Sequence, residues 1–309
     1  MAPRPSPQVT VIVPCFNAAP WLRDCLGSIF NQSLQAAEVI VVDDGSTDES
    51  ADIAAEYPVR LLRMGTNRGA SAARNAGLRA AAHERIAWLD ADDFWDPCHL
   101  GSVASLLDRH AAAAVAFSRV RFVDREDRVP WGLSAPCSGP EDLLSVSVDR
   151  CVVPIMAAIT RRAACLEVGG FRESLRAAVD FDLWLRLAVR WPFVWTPEVT
   201  ASYRWRLAPT QISSDIARQD QSVWRSRMLV LGEVPSSAWR TRAHEIAEHV
   251  RARWTEDLAR AWRRRDLQTL RFLLEIPDVP GTESVFSIRL RQFLGRPAPS
   301  GRRTVPAST

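Results

Sequence analysis

Short apolar segments alternate with amphipathic ones over the first 122 residues of the chain. The apolar segments predict strands at residues 8–14, 38–44, 59–63, 85–89 and 113–122. Helical spacing of apolar side chains, and a capping box at residues 46–49 (STDE), predict helices at residues 20–31, after 49, at 69–82 and at 97–110. This alternation predicts an α/β fold with a mostly parallel, Rossmann-like central sheet and helices on both faces.

The pattern changes after residue 123. Residues 124–150 are rich in Pro, Gly, Ser and acidic residues and are predicted to be irregular. Helices are predicted from 161 and over about 181–191, with one or two strands over 192–205 and an almost wholly helical pattern beyond 214. We therefore predict a main domain over 1–213, a helical C-terminal extension over 214–295 and a disordered tail over 296–309.

Composition predicts a cytoplasmic protein without a membrane-spanning helix. The longest uninterrupted apolar run, at residues 152–159, is far shorter than the ~20 residues that cross a bilayer. The N-terminus lacks the apolar core of a secretory signal. Six cysteines form no C-x-x-C pair, which favours reduced thiols.

The basic residues are all arginine, 39 in number. The absence of lysine excludes Schiff-base chemistry and a P-loop lysine. Residues 215–309 hold 17 arginines against 11 acids, a net charge of +6, and this charge is too dispersed to favour nucleic acid as a partner. We interpret the Trp- and Arg-containing helices there as packing and solvated faces, with a peripheral membrane or protein contact as the alternative.

Polar clusters follow three of the predicted strands, at residues 14–17 (PCFN), 43–46 (DDGS) and 90–93 (DADD). Ligands of open parallel sheets bind beyond the carboxyl ends of the strands, so these clusters are expected at one edge. Three carboxylates lie within residues 90–93, and each pair would repel by about 3 kcal/mol at ~5 Å and an effective dielectric of ~20. This repulsion must be offset by solvent, nearby cations, protons or a bound metal.

We interpret this edge of the sheet as a nucleotide site that lacks the glycine motifs of the common nucleotide-binding folds. The chain contains neither G-x-G-x-x-G nor G-x-x-x-x-G-K-[ST]. A diphosphate without a glycine cradle needs another counter-charge, such as a divalent metal on carboxylates together with arginines. Arg68 and Arg74 lie near a loop-to-helix junction, where a helix N-terminus also favours anions, and Arg74 is the stronger candidate.

Each of these features also has a structural interpretation. Residues 43–46 alone would be a turn that leads into a helix. Asp180 alone would be a cap for a helix that starts at Phe181. Asp182 is better explained by first-turn electrostatics than by chemistry.

Taken together, the motifs resemble the family 2 glycosyltransferases, which are inverting enzymes of the GT-A fold. The matching segments occur in family order over about residues 8–213: VIVPCFNAAPWLRDCLGSIFNQS, VIVVDDGSTD, NRGASAARNAG, WLDADDFWDP, VGGFRESLRAAVDFDLWLRLA and YRWRLAPTQIS. The resemblance implies a nucleotide-sugar half over about 8–122 and an acceptor and catalytic half over about 123–213. It also implies sugar transfer from a nucleoside-diphosphate sugar, with UDP favoured, to a hydroxyl of a glycan or lipid-linked acceptor.

The resemblance also implies roles for individual residues on the donor side. Pro14, Phe16 and Asn17 would border the nucleoside, and Asp44 would bond the base. Arg74 would approach the diphosphate or the acidic motif.

Further roles concern the metal and the base. Asp90, Asp92 and Asp93 would form the D-x-D element that holds Mn²⁺ or Mg²⁺. Asp92 and Asp93 would contact the metal and the ribose, with Asp90 in support, and Asp180 would be the general base. Two positions depart from the family pattern: Val179 replaces a frequent Glu, and Arg206 replaces a frequent His near the metal. Arg206 is expected to pair with a phosphate, because arginine is no ordinary metal ligand.

Two other functions are compatible with parts of the pattern. A haloacid-dehalogenase-type phosphatase also has D-x-D after a strand, but Phe94 and the absence of lysine argue against it. A non-catalytic scaffold that binds sugar nucleotides is the other alternative, with Val179 and Arg206 as its signs. The consequences of Asp180→Asn distinguish the scaffold from the enzyme.

Overall fold

The computed structural model describes residues 7–123, 130–133, 153–175 and 177–205, with short helical pieces at 222–227, at 229 and between 252 and 263. The chain divides into two compact units, Met1–Ala243 and His244–Thr309. The predicted boundary after residue 213 stays a prediction. The predicted tail over 296–309 and most of the predicted irregular stretch over 124–150 lie outside the described residues.

Up to residue 205, the described part of the first unit contains nine strands and six α-helices. The strands are β1 Val9–Cys15, β2 Glu38–Asp43, β3 Arg60–Arg63, β4 Arg85–Trp88, β5 Phe94–Trp95, β6 Val115–Val123, β7 Pro130–Leu133, β8 Ala158–Arg161 and β9 Phe193–Arg204. The helices are α1 Ala19–Phe30, α2 Ser50–Ala55, α3 Ala70–Ala80, α4 His99–Arg109, α5 Arg162–Glu167 and α6 Val179–Ala188. A 3₁₀ turn, Ile155–Ala157, precedes β8.

The strands form one sheet in the order β3-β2-β1-β4-β8-β6-β9-β5, with β7 paired to β6. Strands β3, β2, β1 and β4 are parallel, and Val11 of β1 lies between Val39 and Ala87. Beyond β4 the sheet is mixed, because β8 runs antiparallel to both neighbours while β6 and β9 are parallel. The predicted α/β fold is confirmed, and its purely parallel part consists of β1 to β4.

The core surrounds β1, β2 and β4, whose residues are almost continuously buried, as expected for central parallel strands. Helix α3 lies against β1 through Gly77, where a Cβ atom would come within 2.5 Å of the Ile12 Cγ2 atom. The Trp88 ring packs edge-on against Phe171, with ring centroids 5.1 Å apart. Within the described residues, no helix combines the length and apolarity that a membrane crossing requires.

Arginines close the carboxyl ends of two helices. Arg60 donates to the Ala80 carbonyl over 2.9 Å and Arg162 to the Leu78 carbonyl over 3.1 Å, both at the end of α3. Arg161 donates to the Leu107 carbonyl of α4 over 3.1 Å. The last carbonyls of a helix lack intrahelical partners and carry negative charge, so cations stabilise them.

The predicted capping box at residues 46–49 is wrong. Helix α2 starts at Ser50, and no side-chain hydrogen bond caps it. The Asp48 carboxylate instead accepts hydrogen bonds from the backbone N–H groups of Ser50, over 3.0 Å, and Ala19, over 3.1 Å. The Ser46 hydroxyl, which the predicted box assigned to the helix start, accepts the N–H of Asn17 over 3.0 Å, 29 residues away.

Two other predicted elements differ from the structure. The helix predicted to start near 181 begins at Val179, so Asp180 lies in its first turn and is not its cap. Residues 192–205, predicted to form one or two strands, contain the single strand β9, whereas β7 lies within the stretch predicted to be irregular. Strands β5, β7 and β8 were not predicted, and the predicted elements keep their order.

Candidate active site

The loops after β1 and β2 are joined by hydrogen bonds. The Asn17 N–H donates to the Ser46 hydroxyl over 3.0 Å, and the Thr47 N–H donates to the Asn17 side-chain oxygen over 2.8 Å. Asn17 has a positive φ of 48°, a conformation that Asn adopts more readily than most residues. Pro14 is half-buried at the end of β1, and the Phe16 side chain is 46% exposed. A large exposed ring beside this polar loop is suited to stack on a planar ligand.

Asp44 is 2% exposed and binds the loop that leads into α3. Its two carboxylate oxygens accept the backbone N–H groups of Arg68, over 2.8 Å, and Gly69, over 2.7 Å. Gly45 permits the approach of this loop, because a Cβ atom there would lie 2.8 Å from the Thr66 backbone. An ionised carboxylate has about four acceptor sites, so Asp44 keeps acceptor capacity beyond these two bonds.

Arg74 of α3 forms a buried ion pair with Asp90 at the end of β4. The Arg74 Nη2 atom donates to the Asp90 Oδ1 atom over 2.5 Å, and Arg74 is only 6% exposed. Its guanidinium carbon lies 5.4 Å from the centre of the Phe171 ring. Among the described residues, the Arg74 Nε–H has no acceptor. The pair offsets part of the repulsion among the three aspartates.

Asp93 is the most buried of the three aspartates. Burial raises the pKa of its carboxyl well above the usual range, and the negative charges of Asp92 and Asp90 raise it further. The Asp93 Oδ1 atom accepts the backbone N–H of Arg204 over 2.9 Å. Its Oδ2 atom has no hydrogen-bond partner within the described part of the chain. These surroundings favour a supporting position for Asp93 over direct contact with a ligand.

The fit of a divalent metal depends on which aspartates are accessible. Asp92 is half-buried, while Asp90 already pairs with Arg74 and Asp93 is fully buried. Among the described residues, no group of three His, Cys, Asp or Glu side chains is arranged to hold a metal. Mg²⁺ in nucleotide enzymes needs only one or two carboxylates, because phosphates and water complete its shell. Asp92, supported by Asp90, fits such a site, and the full three-aspartate set stays a prediction.

Asp180 lies in the first turn of α6. Ala178, in the left-handed conformation with φ 49°, precedes the helix. The half-buried Asp180 carboxylate accepts the N–H of Phe181 over 2.9 Å. Asp182, two residues on, is fully buried and accepts the Arg186 Nε–H over 2.8 Å. Asp182 therefore stabilises the helix, in agreement with its interpretation from sequence.

Asn75, beside Arg74, joins α3 to the segment that precedes α6. Its side-chain NH₂ donates to the Phe171 carbonyl over 2.8 Å, and its side-chain oxygen accepts the Phe171 N–H over 2.8 Å. Gly170 has φ 68°, and a Cβ atom there would lie 2.5 Å from the Asn75 side-chain oxygen. Arg172 then pairs with Asp182 over 3.4 Å. This series of contacts connects the ion pair at β4 with the helix that carries Asp180.

Two buried residues of this region were not identified from the sequence, Asn75 and Arg204. The hydrogen-bond partners of Asn75 lie 96 and 98 positions away, and Arg204 hydrogen-bonds to residues 111 and 112 positions away. No local signal marks such contacts. Arg206, which was predicted to pair with a phosphate, lies outside the described residues.

Comparison with known proteins identifies the family. The model of glycosyl transferase family 2 matches residues 10–168, just over half of the chain. The chain belongs to this family. The expected resemblance is thus confirmed, and the phosphatase alternative is set aside.

Relatives and solved structures agree with this assignment. Chondroitin synthase of Escherichia coli is 30% identical over 193 residues, which cover 60% of this chain and 27% of the relative. A glycosyltransferase of Rickettsia prowazekii, RP339, is 26% identical over 191 residues, covering 59% of this chain and 58% of the relative. The chain thus spans between about a quarter and three fifths of the length of these relatives.

The solved structures support the fold. Staphylococcus aureus TarS 1–349 in complex with UDP-GlcNAc has a TM-score of 0.70 at 19% identity, with 92% of this chain and 83% of TarS 1–349 covered. The mannosyltransferase PcManGT of Pyrobaculum calidifontis, in complex with GDP-Man and Mn²⁺, has a TM-score of 0.61 at 20% identity, with 94% and 80% covered. The glycosyltransferase fold predicted from the motifs is confirmed.

Proposed function

We propose that this family 2 glycosyltransferase is an inverting enzyme, which moves a sugar from a nucleoside-diphosphate sugar to an acceptor hydroxyl. The observation that carries the proposal is the convergence at one sheet edge of Asp44, the Arg74–Asp90 ion pair and Asp92, each at or beside the end of a parallel strand. Such an edge is where open α/β sheets bind their ligands.

The donor site is assigned to the loops after β1, β2 and β4. Phe16, Pro14 and Asn17 border the nucleoside, and Asp44 presents its remaining acceptor capacity to the base. UDP is the favoured nucleotide. TarS in complex with UDP-GlcNAc, and PcManGT with GDP-Man, support a donor of this class. Arg206 adds positive charge for a phosphate.

The metal belongs to the same site. Asp92, supported by Asp90, would hold Mn²⁺ or Mg²⁺, while Asp93 stabilises the loop; direct binding of the metal by Asp93 is the less favoured form of the proposal. A bound divalent cation absorbs negative charge that develops on the departing diphosphate. The presence of Mn²⁺ in the PcManGT complex supports metal use. Arg74 contributes positive charge from the protein itself.

Asp180 acts as the general base. Its carboxylate takes the proton from the acceptor hydroxyl while the hydroxyl oxygen forms a bond to the anomeric carbon. The bond from that carbon to the diphosphate oxygen breaks on the opposite face, and both of its electrons leave with the nucleoside diphosphate. A single displacement of this kind inverts the anomeric centre. The position of Asp180 in the first turn of α6, tied through Asp182, Arg172 and Phe171 to α3, supports this role.

The acceptor is proposed to be a glycan or a lipid-linked saccharide, in polysaccharide biosynthesis. A cytoplasmic location is proposed, with contact to the membrane surface or a protein through the helices after 214. Nucleic acid is not proposed as a partner.

A thermal-shift panel tests the donor site. UDP, dTDP, GDP and CMP are each added with and without Mn²⁺. A ligand at 100 times its dissociation constant stabilises the fold by about 2.7 kcal/mol, which raises Tm by a few degrees. We expect a shift with one diphosphate and only with Mn²⁺. No shift with any nucleotide would contradict the donor site, and a metal-independent shift would contradict the role of Asp92.

The panel also bears on the alternative function. A scaffold that binds sugar nucleotides without transferring them would give the same thermal shift. The Asp180→Asn variant then distinguishes the two functions, because only the enzyme loses turnover of the donor.

A further inference from the structure

Arg204, the last residue of β9, is a buried cation at the donor edge. It is only 1% exposed, although its charge is permanent. Burying a charge is costly unless hydrogen bonds and opposite charges compensate for it. The contacts of Arg204 therefore identify the groups that compensate for burying its charge.

These contacts involve three consecutive residues of the D-x-D loop. The Arg204 Nη1 atom donates to the Asp92 carbonyl over 2.9 Å, and its backbone N–H donates to the Asp93 Oδ1 atom over 2.9 Å. The guanidinium carbon lies 5.2 Å from the centre of the Phe94 ring. One residue thus holds the backbone of Asp92, the side chain of Asp93 and the ring of Phe94.

Two further contacts complete the arrangement. The Arg204 Nη2 atom lies 3.3 Å from an Asp24 carboxylate oxygen of α1. Strand β5, which follows the loop, pairs with β9, so that Phe94 lies opposite Ser202. The loop is therefore held at Phe94 by the pairing of β5 with β9, and at Asp92 by the Arg204 guanidinium.

We propose that Arg204 is a positioning residue for the donor's metal–diphosphate site, an inference that rests on the proposed function. It acts through Asp92: by fixing the carbonyl and neighbours of Asp92, it sets the direction in which the Asp92 carboxylate leaves the backbone. Its positive charge also lies beside Asp92 and Asp93, where it reduces their mutual repulsion before any cation binds.

Calorimetric titration of the full chain with UDP, and with GDP, in the presence and absence of Mn²⁺ tests this role. Loss of groups that orient metal ligands weakens metal affinity by about 10- to 100-fold. We expect Arg204→Met to weaken nucleotide binding in Mn²⁺ by about that factor, while neither wild type nor the variant binds the nucleotide without the metal. Arg204→Lys, which keeps the charge, should recover part of the loss.

Arg161 offers the matched control. It is also a strand arginine bound to backbone carbonyls, those of Ala113, over 2.8 Å, and Leu107, over 3.1 Å. It pairs with Arg85 at the opposite end of β4 from Asp90. Arg161→Met should lower Tm and leave nucleotide binding in Mn²⁺ unchanged.

The outcomes separate the inference from the proposed function. Wild-type binding that needs Mn²⁺, together with equal binding by Arg204→Met, would overturn the inference alone. A wild-type chain that binds neither of these nucleotides nor dTDP, with or without Mn²⁺, would overturn both. If Arg204→Met does not fold, Arg204→Lys decides: affinity in Mn²⁺ equal to wild type overturns the positioning role, and a selective loss in Mn²⁺ supports it.

Discussion

The half of the sheet built from β1 to β4 and the half built from β5 to β9 use polar side chains differently. In the first half, Asn17, Asp44 and Asp90 follow the ends of parallel strands and lie in loops. In the second half, polar groups are buried between elements: His99 of α4 shares a hydrogen bond of 2.7 Å with Thr200 of β9, whose hydroxyl donates to Ser118 of β6.

The polar residues of the first half are placed where a ligand is proposed to bind, whereas those of the second half support the fold. Parallel strands bring the polar residues that follow them to one edge of the sheet, and the first half therefore carries the proposed donor site. The mixed half buries its polar groups and thereby holds the D-x-D loop and α6 in place. Asp180, half-buried at the start of α6, is the residue of the second half to which we assign chemistry.

The largest expected effect concerns Asp180. Asp180→Asn should lower turnover of the donor selected by the thermal-shift panel by about 10²- to 10⁴-fold, because the amide cannot take the acceptor's proton. Steady-state kinetics should show this loss in kcat, with nucleotide binding unchanged. Asp52→Asn, in the exposed first turn of α2, is the control and should retain turnover. Retained turnover in Asp180→Asn would refute the base assignment.

The next largest effect is expected when the contact between the two halves is broken, and it should appear as a loss of stability. Asn75→Leu leaves the buried N–H and C=O of Phe171 without their partners. We expect the free energy of unfolding to fall by about 2–4 kcal/mol, since each unpaired buried group costs about 1–3 kcal/mol. Urea unfolding measures it, and the exposed Asn31→Leu serves as control. A loss no larger than the control's would show that Asn75 does not connect the halves.

The stability of the protein should depend on pH through His99, which belongs to the buried hydrogen-bonded side chains of the second half. Burial lowers the pKa of His99 to about 3, whereas an unfolded histidine has a pKa of about 6.5. Between these values the unfolded state binds the extra proton, so stability falls as pH falls below 6.5, by up to about 1.4 kcal/mol per unit.

The His99→Asn variant tests this dependence, because asparagine does not titrate. We expect the stability of the variant, measured by urea unfolding, to fall less steeply than that of wild type between pH 6.5 and 4.5. His110→Asn, at an exposed position, is the control. Identical slopes for wild type and His99→Asn would contradict a neutral, buried His99.

The smallest effect is expected at the surface of the first half. Arg23 and Glu56 pair across α1 and α2, with Nη2 and Oε1 2.6 Å apart, and both side chains are more than half exposed. Exposed ion pairs contribute little to stability. Arg23→Met should therefore leave Tm unchanged in a thermal melt. A clear drop in Tm would indicate that the stability of this half depends on its surface as well as on its core.

The two halves of the sheet also differ in how much of their structure could be predicted from the sequence. Apart from β5, the order of strands and helices up to β6, and the clusters at their ends, follow from local periodicity and from the geometry of parallel sheets. The capping box failed because the Ser46 hydroxyl accepts the N–H of Asn17 in the loop after β1. Arg204 and Asn75 could not be identified, since burial and contacts between distant residues determine their roles. The family's motifs supplied the position of Asp180, which periodicity alone assigned to a cap.

The central claim is tested most directly by following the anomeric proton of the donor sugar by NMR. Sugar donors of the nucleotide that the panel selects are each incubated with the chain, Mn²⁺ and a mixture of acceptor saccharides. We predict consumption of the donor, release of the nucleoside diphosphate and a new glycosidic signal of opposite anomeric configuration. A product that retains the donor's configuration, or a donor that stays intact although it binds, would contradict inverting transfer by this protein.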